Sequence, residues 1–185
     1  MRAIRWSRLL PPSLLLLLLP WGLAGCSGVG KMPVQFDDYA RRLAPPADQA
    51  LVYVVRPSNA GKIMRFTVQC DGDSIGATGG KRYIYTLQPP GAHVFVSRAE
   101  NKSELPIVLE AGRTYYLEQK IKMGIFSARA NLERIPDAEG REKLAKCALS
   151  EEIAAPIPGS EAYMQQLRAE KRERAERRQE GDRTR

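Results

Sequence analysis

From residue 50 onward, apolar and polar positions alternate in short runs separated by turn residues, which is the signature of a β protein. Leu51–Val55 is apolar at both parities, so it predicts a central strand covered on both faces. Phe66, Val68 and Cys70 share one face, with Thr67 and Gln69 on the other. Asp71-Gly72 is a tight-turn dipeptide, and Ser74–Ala77 returns as its partner. Tyr83, Tyr85 and Leu87 form the next alternating face, followed by Val94–Ser97, Leu105–Leu109, Thr114–Ile121 and Ser127–Arg134. The pattern predicts a mainly β fold, an antiparallel β-sandwich of about seven strands. Pro136-Asp137 then opens a helix whose stripe of Ala138, Leu144, Ala145, Ala148 and Leu149 packs on a sheet.

The pattern differs at both ends of the chain. Arg2, Arg5 and Arg8 precede an apolar run from Leu9 to Leu19 that is interrupted by Pro11 and Pro12 and closed by Pro20. That run falls short of the roughly 20 residues that span a bilayer, and its composition is that of a removable signal segment. Leu23-Ala24-Gly25-Cys26 resembles the lipobox of bacterial lipoproteins. The resemblance implies cleavage before Cys26, a thioether-linked lipid on its sulfur and fatty acylation, with palmitate for example, of the new amino terminus. Several acyl chains give stable anchoring where one does not. Ser27 stands where lipoproteins held in the inner membrane commonly carry Asp, so the resemblance points to the outer membrane, facing the periplasm.

These features divide the chain into a signal segment at 1–25, a lipidated tether at 26–47 with a short helical turn at Asp37–Leu43, the sandwich with its closing helix at 48–155, and a charged tail at 156–185. Glycine and proline at Gly28, Gly30, Pro33, Pro45 and Pro46 give the tether its character. The tail carries charges of both signs and almost nothing to bury after Leu167, which predicts a solvated helix or a disordered extension.

The net charge of +8 includes the three arginines of the signal segment and is otherwise spread along the chain. Nucleic acid is therefore not an expected partner, since its binders concentrate basic residues on one face. The membrane, through the lipid, is the first expected partner, and an envelope protein or peptidoglycan the next. With Cys26 lipidated, Cys70 and Cys147 remain as an even pair in an oxidising compartment. They form either a disulfide or two buried thiols.

Catalytic chemistry has little to draw on. His93 is the only histidine, placed where a turn becomes a strand, and it reads as a half-exposed strand residue with no catalytic set around it. With both cysteines assigned to a disulfide, no transition-metal site and no cofactor are expected. Asp71-Gly72-Asp73 offers too few oxygens for calcium, and Gly76–Gly80 lacks the lysine and helix of a phosphate loop. Tyr83, Tyr85 and Tyr115 fit an inward parity, which leaves Tyr116, with His93, as the candidate binding surface. The expected role is a non-enzymatic binding or structural module. The rivals are membership in a surface or secretion complex, with a sheet edge accepting a partner strand, and an envelope hydrolase built from Glu100, Glu104, Arg56 and Arg98.

The segments Leu51–Lys62, Val68–Gly76, Tyr85–Phe95, Leu109–Glu118 and Asp137–Ser150 together resemble an uncharacterised domain of small bacterial lipoproteins. That domain is of transthyretin-like, carboxypeptidase-regulatory-like type, and its middle segments are similar to PEGA repeats. The resemblance implies the sandwich and carries no established reaction.

Overall fold

The computed structural model describes residues 29–98, 101–123 and 128–183. Cys26, Glu100 and the signal segment lie outside them. Among the described residues nine strands form two sheets, with three helices. The first sheet has the order β8 (Ala128–Ile135), β7 (Thr114–Met123), β1 (Ala50–Arg56), β4 (Arg82–Gln88) and β9 (Ala148–Leu149). The second has the order β3 (Asp73–Thr78), β2 (Phe66–Cys70), β5 (Gly91–Arg98) and β6 (Lys102–Leu109). The mainly β, two-sheet expectation holds. Two pairings depart from the antiparallel rule, because β1 runs parallel to β7 and β4 parallel to β9.

β1 is buried at all seven positions, as a strand apolar at both parities requires. One face of the first sheet presents Val52, Val54, Ile84 and Leu117 to Phe66, Val68 and Phe95 of the second sheet. A buried polar chain crosses this interior, in which Thr78 Oγ1 donates to Gln119 and Gln119 Nε2 donates to Ser97 Oγ at 2.7 Å. The opposite face carries Tyr53, Tyr83, Tyr85 and Tyr116, which the register places side by side. It is roofed by α1 (Val34–Arg41) and α2 (Asp137–Ala145). Two hydroxyls donate to backbone carbonyls of α1, Tyr53 to Ala40 at 2.6 Å and Tyr83 to Asp37 at 3.3 Å, and Tyr85 donates to Pro156 O, further along the chain, at 3.0 Å.

This roof corrects the reading of residues 26–47 as a tether. From Val29 onward the segment belongs to the domain: Met32, Phe36 and Ala40 are buried, and Met32 N–H donates to Leu149 O at 2.8 Å. Asp37 ties α1 to the far end of the chain, accepting from Leu149 N–H at 2.9 Å while Arg41 donates to Leu144 O at 2.9 Å. Prolines and glycines marked the segment as a linker, but its apolar residues at 32, 36 and 40 follow a helical spacing and close the aromatic layer.

Both lateral seams between the sheets are sealed. On one side Asn101 exchanges hydrogen bonds with the backbone of Ala130, and Ser103 Oγ accepts from Leu132 N–H at 3.1 Å. On the other, the segment after β9 crosses from the first sheet to the second: Ser150 N–H donates to Tyr83 O, and Ala77 N–H donates to Glu152 O. Gly76, at φ +139°, lets that segment pass, since a Cβ there would overlap Glu152 O. The tail forms α3 (Glu161–Arg183), which docks through Tyr163 on Phe36, with ring centroids 5.9 Å apart, and through the half-buried Met164, while residues 168–181 are exposed. No helix among the described residues is long and apolar enough to cross a membrane.

Candidate functional site

At one end of the second sheet the chain gathers a thiol, a carboxylate and an imidazole. β2 alternates so that Cys70 is its last inward residue. Asp71 and Gly72 follow with φ of 51° and 97°, the two left-handed positions of a type I′ hairpin turn. Cys70 pairs with Phe95 across to β5, so His93, two residues earlier, lies on the same inward face. The turn is fastened to β5, with Asp71 N–H donating to Val94 O at 3.0 Å and Val94 N–H donating to Asp71 Oδ1 at 2.8 Å.

His93 Nδ1 is 2.6 Å from Asp71 Oδ2 and 3.9 Å from Cys70 Sγ, while Cys70 Sγ is 3.7 Å from Asp71 Oδ2. His93 Nε2 is 2.9 Å from Pro89 O. With acceptors at both nitrogens, the ring donates to both only as the imidazolium. Cys70 and His93 are buried, and Asp71 is about half exposed, at 48% for its side chain. The Val94 N–H, followed by His93, holds the Asp71 carboxyl below the usual carboxylate range. Burial, with the Asp71 carboxylate beside it, pushes the Cys70 thiol up to about 12.

The group is not wired as a nucleophilic triad. Such a triad uses one imidazole nitrogen for the nucleophile and the other for the carboxylate. Here Nδ1 faces both Cys70 and Asp71, and Nε2 is held by a carbonyl. A thiol held protonated is also a poor nucleophile.

Several sequence expectations are corrected. Cys70 and Cys147 are both free, buried thiols. Cys70 lies at the end of the molecule where β4 finishes, next to Pro89 through His93, whereas Cys147 precedes Ala148, which pairs with the first residue of β4. The seven residues of β4 span about 20 Å, far beyond the roughly 7 Å Cα separation that a disulfide tolerates. His93 is 8% exposed, not half-exposed. Tyr116 is 6% exposed and stacks on Tyr53 with centroids 5.5 Å apart, so it offers no binding surface. Helices cover the second face of that sheet, so parity there does not separate buried from exposed rings.

The residues of the rival hydrolase do not converge among those described. Arg56 is buried on backbone carbonyls, Arg98 reaches Gln69 at the surface, and Glu104 pairs with Lys102. A groove of about 530 Å³ between α3 and the 151–152 segment is lined in part by charges that already pair, Arg65 with Glu152 and Lys171 with Glu151. The thiol–imidazole cluster escaped sequence reasoning because its members meet through the β2–β5 pairing, 23 residues apart. The readable signal was the inward parity of Cys70 together with a histidine two positions before an inward phenylalanine.

The fold and this cluster define a two-sheet β domain roofed by helices, with a thiol–carboxylate–imidazole group at one end. Residues 46–130 match the model of a family described as a protein of unknown function (DUF2846), as the sequence resemblance to an uncharacterised domain led one to expect. The chain is also 28% identical over 126 residues to an uncharacterized protein of Haemophilus influenzae, an alignment covering 67% of this chain and 75% of that one.

Proposed function

We propose that this chain is a bacterial lipoprotein, anchored through lipid on Cys26 in the outer membrane and facing the periplasm, where it serves as a non-enzymatic binding or structural module. The observation that carries the reading is the run Leu23-Ala24-Gly25-Cys26 at the end of the basic and apolar leader. Its fit with the domain supports it: Val29, three residues on, is already buried, and Lys31 bridges to Ser150. Three residues reach at most about 10 Å, so a lipid on Cys26 would hold the domain against the bilayer rather than suspend it. In the cells of origin, Cys26→Ala is expected to abolish palmitate labelling and move the protein from the membrane to the soluble fraction. Labelling that survives the substitution would overturn the anchor.

Binding is supported by an apolar patch on the outer face of β5–β6. Ala92 pairs with Val108 and Val94 with Pro106, and all four side chains are exposed, Val108 at 66%. Contiguous exposed apolar residues on a sheet are a usual mark of a protein-contact surface. This favours a second reading, membership in an envelope complex through this face. A photocrosslinking residue at Val108 is expected to give one defined adduct in intact cells, and Val94→Lys is expected to abolish it. A smear of abundant neighbours would count against a dedicated partner.

A further inference from the structure

The cluster at the end of the second sheet has the composition and the outer shell of a zinc site. We infer that Cys70, Asp71 and His93 bind one zinc ion through Sγ, Oδ2 and Nδ1. The inference is independent of the lipid anchor.

Three observations carry it. The first is the donor set. Thiolate, imidazole and carboxylate together suit Zn(II), and these three ligand atoms lie within 4.8 Å of one another. The second is spacing. Ligand atoms around tetrahedral zinc stand about 3.4–3.6 Å apart, given the usual zinc–ligand bond lengths. Sulfur stands 3.9 Å from the imidazole nitrogen and 3.7 Å from the carboxylate oxygen, already near those values. The nitrogen and oxygen are closer, at 2.6 Å, because they share a hydrogen bond. The half-exposed Asp71 needs to withdraw by less than about 1 Å for an ion to take the proton's place.

The third observation is the support behind the ligands. A metal-bound histidine donates its second N–H to a carbonyl or carboxylate, which fixes the ring. Pro89 O does this for Nε2, so the lone pair of a neutral His93 falls on Nδ1, the nitrogen facing Cys70 and Asp71. Asp71 is held in the same manner, since Val94 N–H occupies Oδ1 and leaves Oδ2 toward the imidazole.

Zinc uptake releases the Cys70 thiol proton, and the ion meets a thiolate, a neutral imidazole and a carboxylate. Two ligands sit in the wall and the third faces solvent, which supplies an entry path on the Asp71 side. Three protein ligands leave a fourth position for water.

The test uses the full chain prepared without a polyhistidine tag. Titration with Co(II) is expected to give one bound equivalent with thiolate-to-cobalt charge-transfer absorption, and Zn(II) is expected to displace it. Cys70→Ser should remove that absorption, while Cys147→Ser should leave it intact. His93→Gln should weaken zinc binding by more than the ~10–100-fold that loss of an outer-shell partner costs. Asp71→Asn guards against misfolding in the buried variants. Asparagine also adopts the left-handed conformation of this turn, so the variant should keep its thermal midpoint and still lose zinc affinity. Absence of charge-transfer absorption, its survival in Cys70→Ser, or unchanged zinc binding in a folded Asp71→Asn would each overturn the site.

Discussion

Replacing Arg56 by methionine is expected to lower the unfolding free energy by about 3–4 kcal/mol, read as a fall in the urea midpoint at unchanged m-value. Arg56 ends β1 with its side chain fully buried between the sheets. Its guanidinium donates to Ala60 O at 2.6 Å, Gly61 O at 2.8 Å, Met64 O at 3.1 Å and Thr78 O at 3.4 Å, and it lies 4.5 Å over the Phe66 ring. Burial brings its pKa down to about 10, so it remains a cation at neutral pH and shares its charge among carbonyls instead of a carboxylate. Methionine restores much of the volume and none of the donors. A buried carbonyl left without a donor costs about 1–3 kcal/mol, and the half-buried Ala60 and Gly61 recover part of that by turning to water. A loss below about 1 kcal/mol would mean that the 57–64 loop holds its shape without this cation.

Gly140→Ala is expected to destabilise the protein by about 2 kcal/mol, against the helix propensities, which favour alanine by about 1 kcal/mol. Gly140 lies within α2, where the helix crosses Tyr116, and a Cβ at that position would overlap Cγ and Cβ of the tyrosine. Those atoms sit close to the β7 backbone and cannot swing aside. The ring itself is stacked on Tyr53, which is hydrogen-bonded to α1. The helix must therefore lift off the aromatic layer, an overpacking cost of about 3 kcal/mol or somewhat less that outweighs the propensity gain. Thermal unfolding decides it: a midpoint equal to or above that of the parent would show that α2 does not rest on Tyr116 through this glycine.

Much of the sheet framework was legible in the sequence because its strands are short, alternating and punctuated. Leu51–Val55 announced its double burial, and Asp71-Gly72 announced its hairpin. The misplacement of Tyr116 comes from the limits of parity. Period-2 parity tells inside from outside only when one face of a sheet meets water, and the first sheet is covered on both. Tyr116 was therefore placed outside, although it shares a face with Tyr53 and Tyr85. Residues 26–47 read as a tether because Gly28, Gly30, Pro33, Pro45 and Pro46 punctuate them, yet Met32, Phe36 and Ala40 are buried. Assigning Cys70 to a disulfide concealed its partnership with His93, which only the β2–β5 register reveals.

The crossing segment after β9 has a consequence for how the domain is made. Its first bonds reach back to the start of the folded chain, Lys31 to Ser150 and Met32 to Leu149, and its next ones complete the second sheet at Ile75 and Ala77. Contacts between residues this far apart in sequence close late and slow the search for the native state. A chain emerging from its amino terminus cannot seal the edge of β4 before Ala148 and Leu149 are delivered, nor that of β3 before Glu152 and Ala154. Until then β3 and β4 each keep an unpaired edge, so the order in which the two sheets are completed is written into the order of the chain.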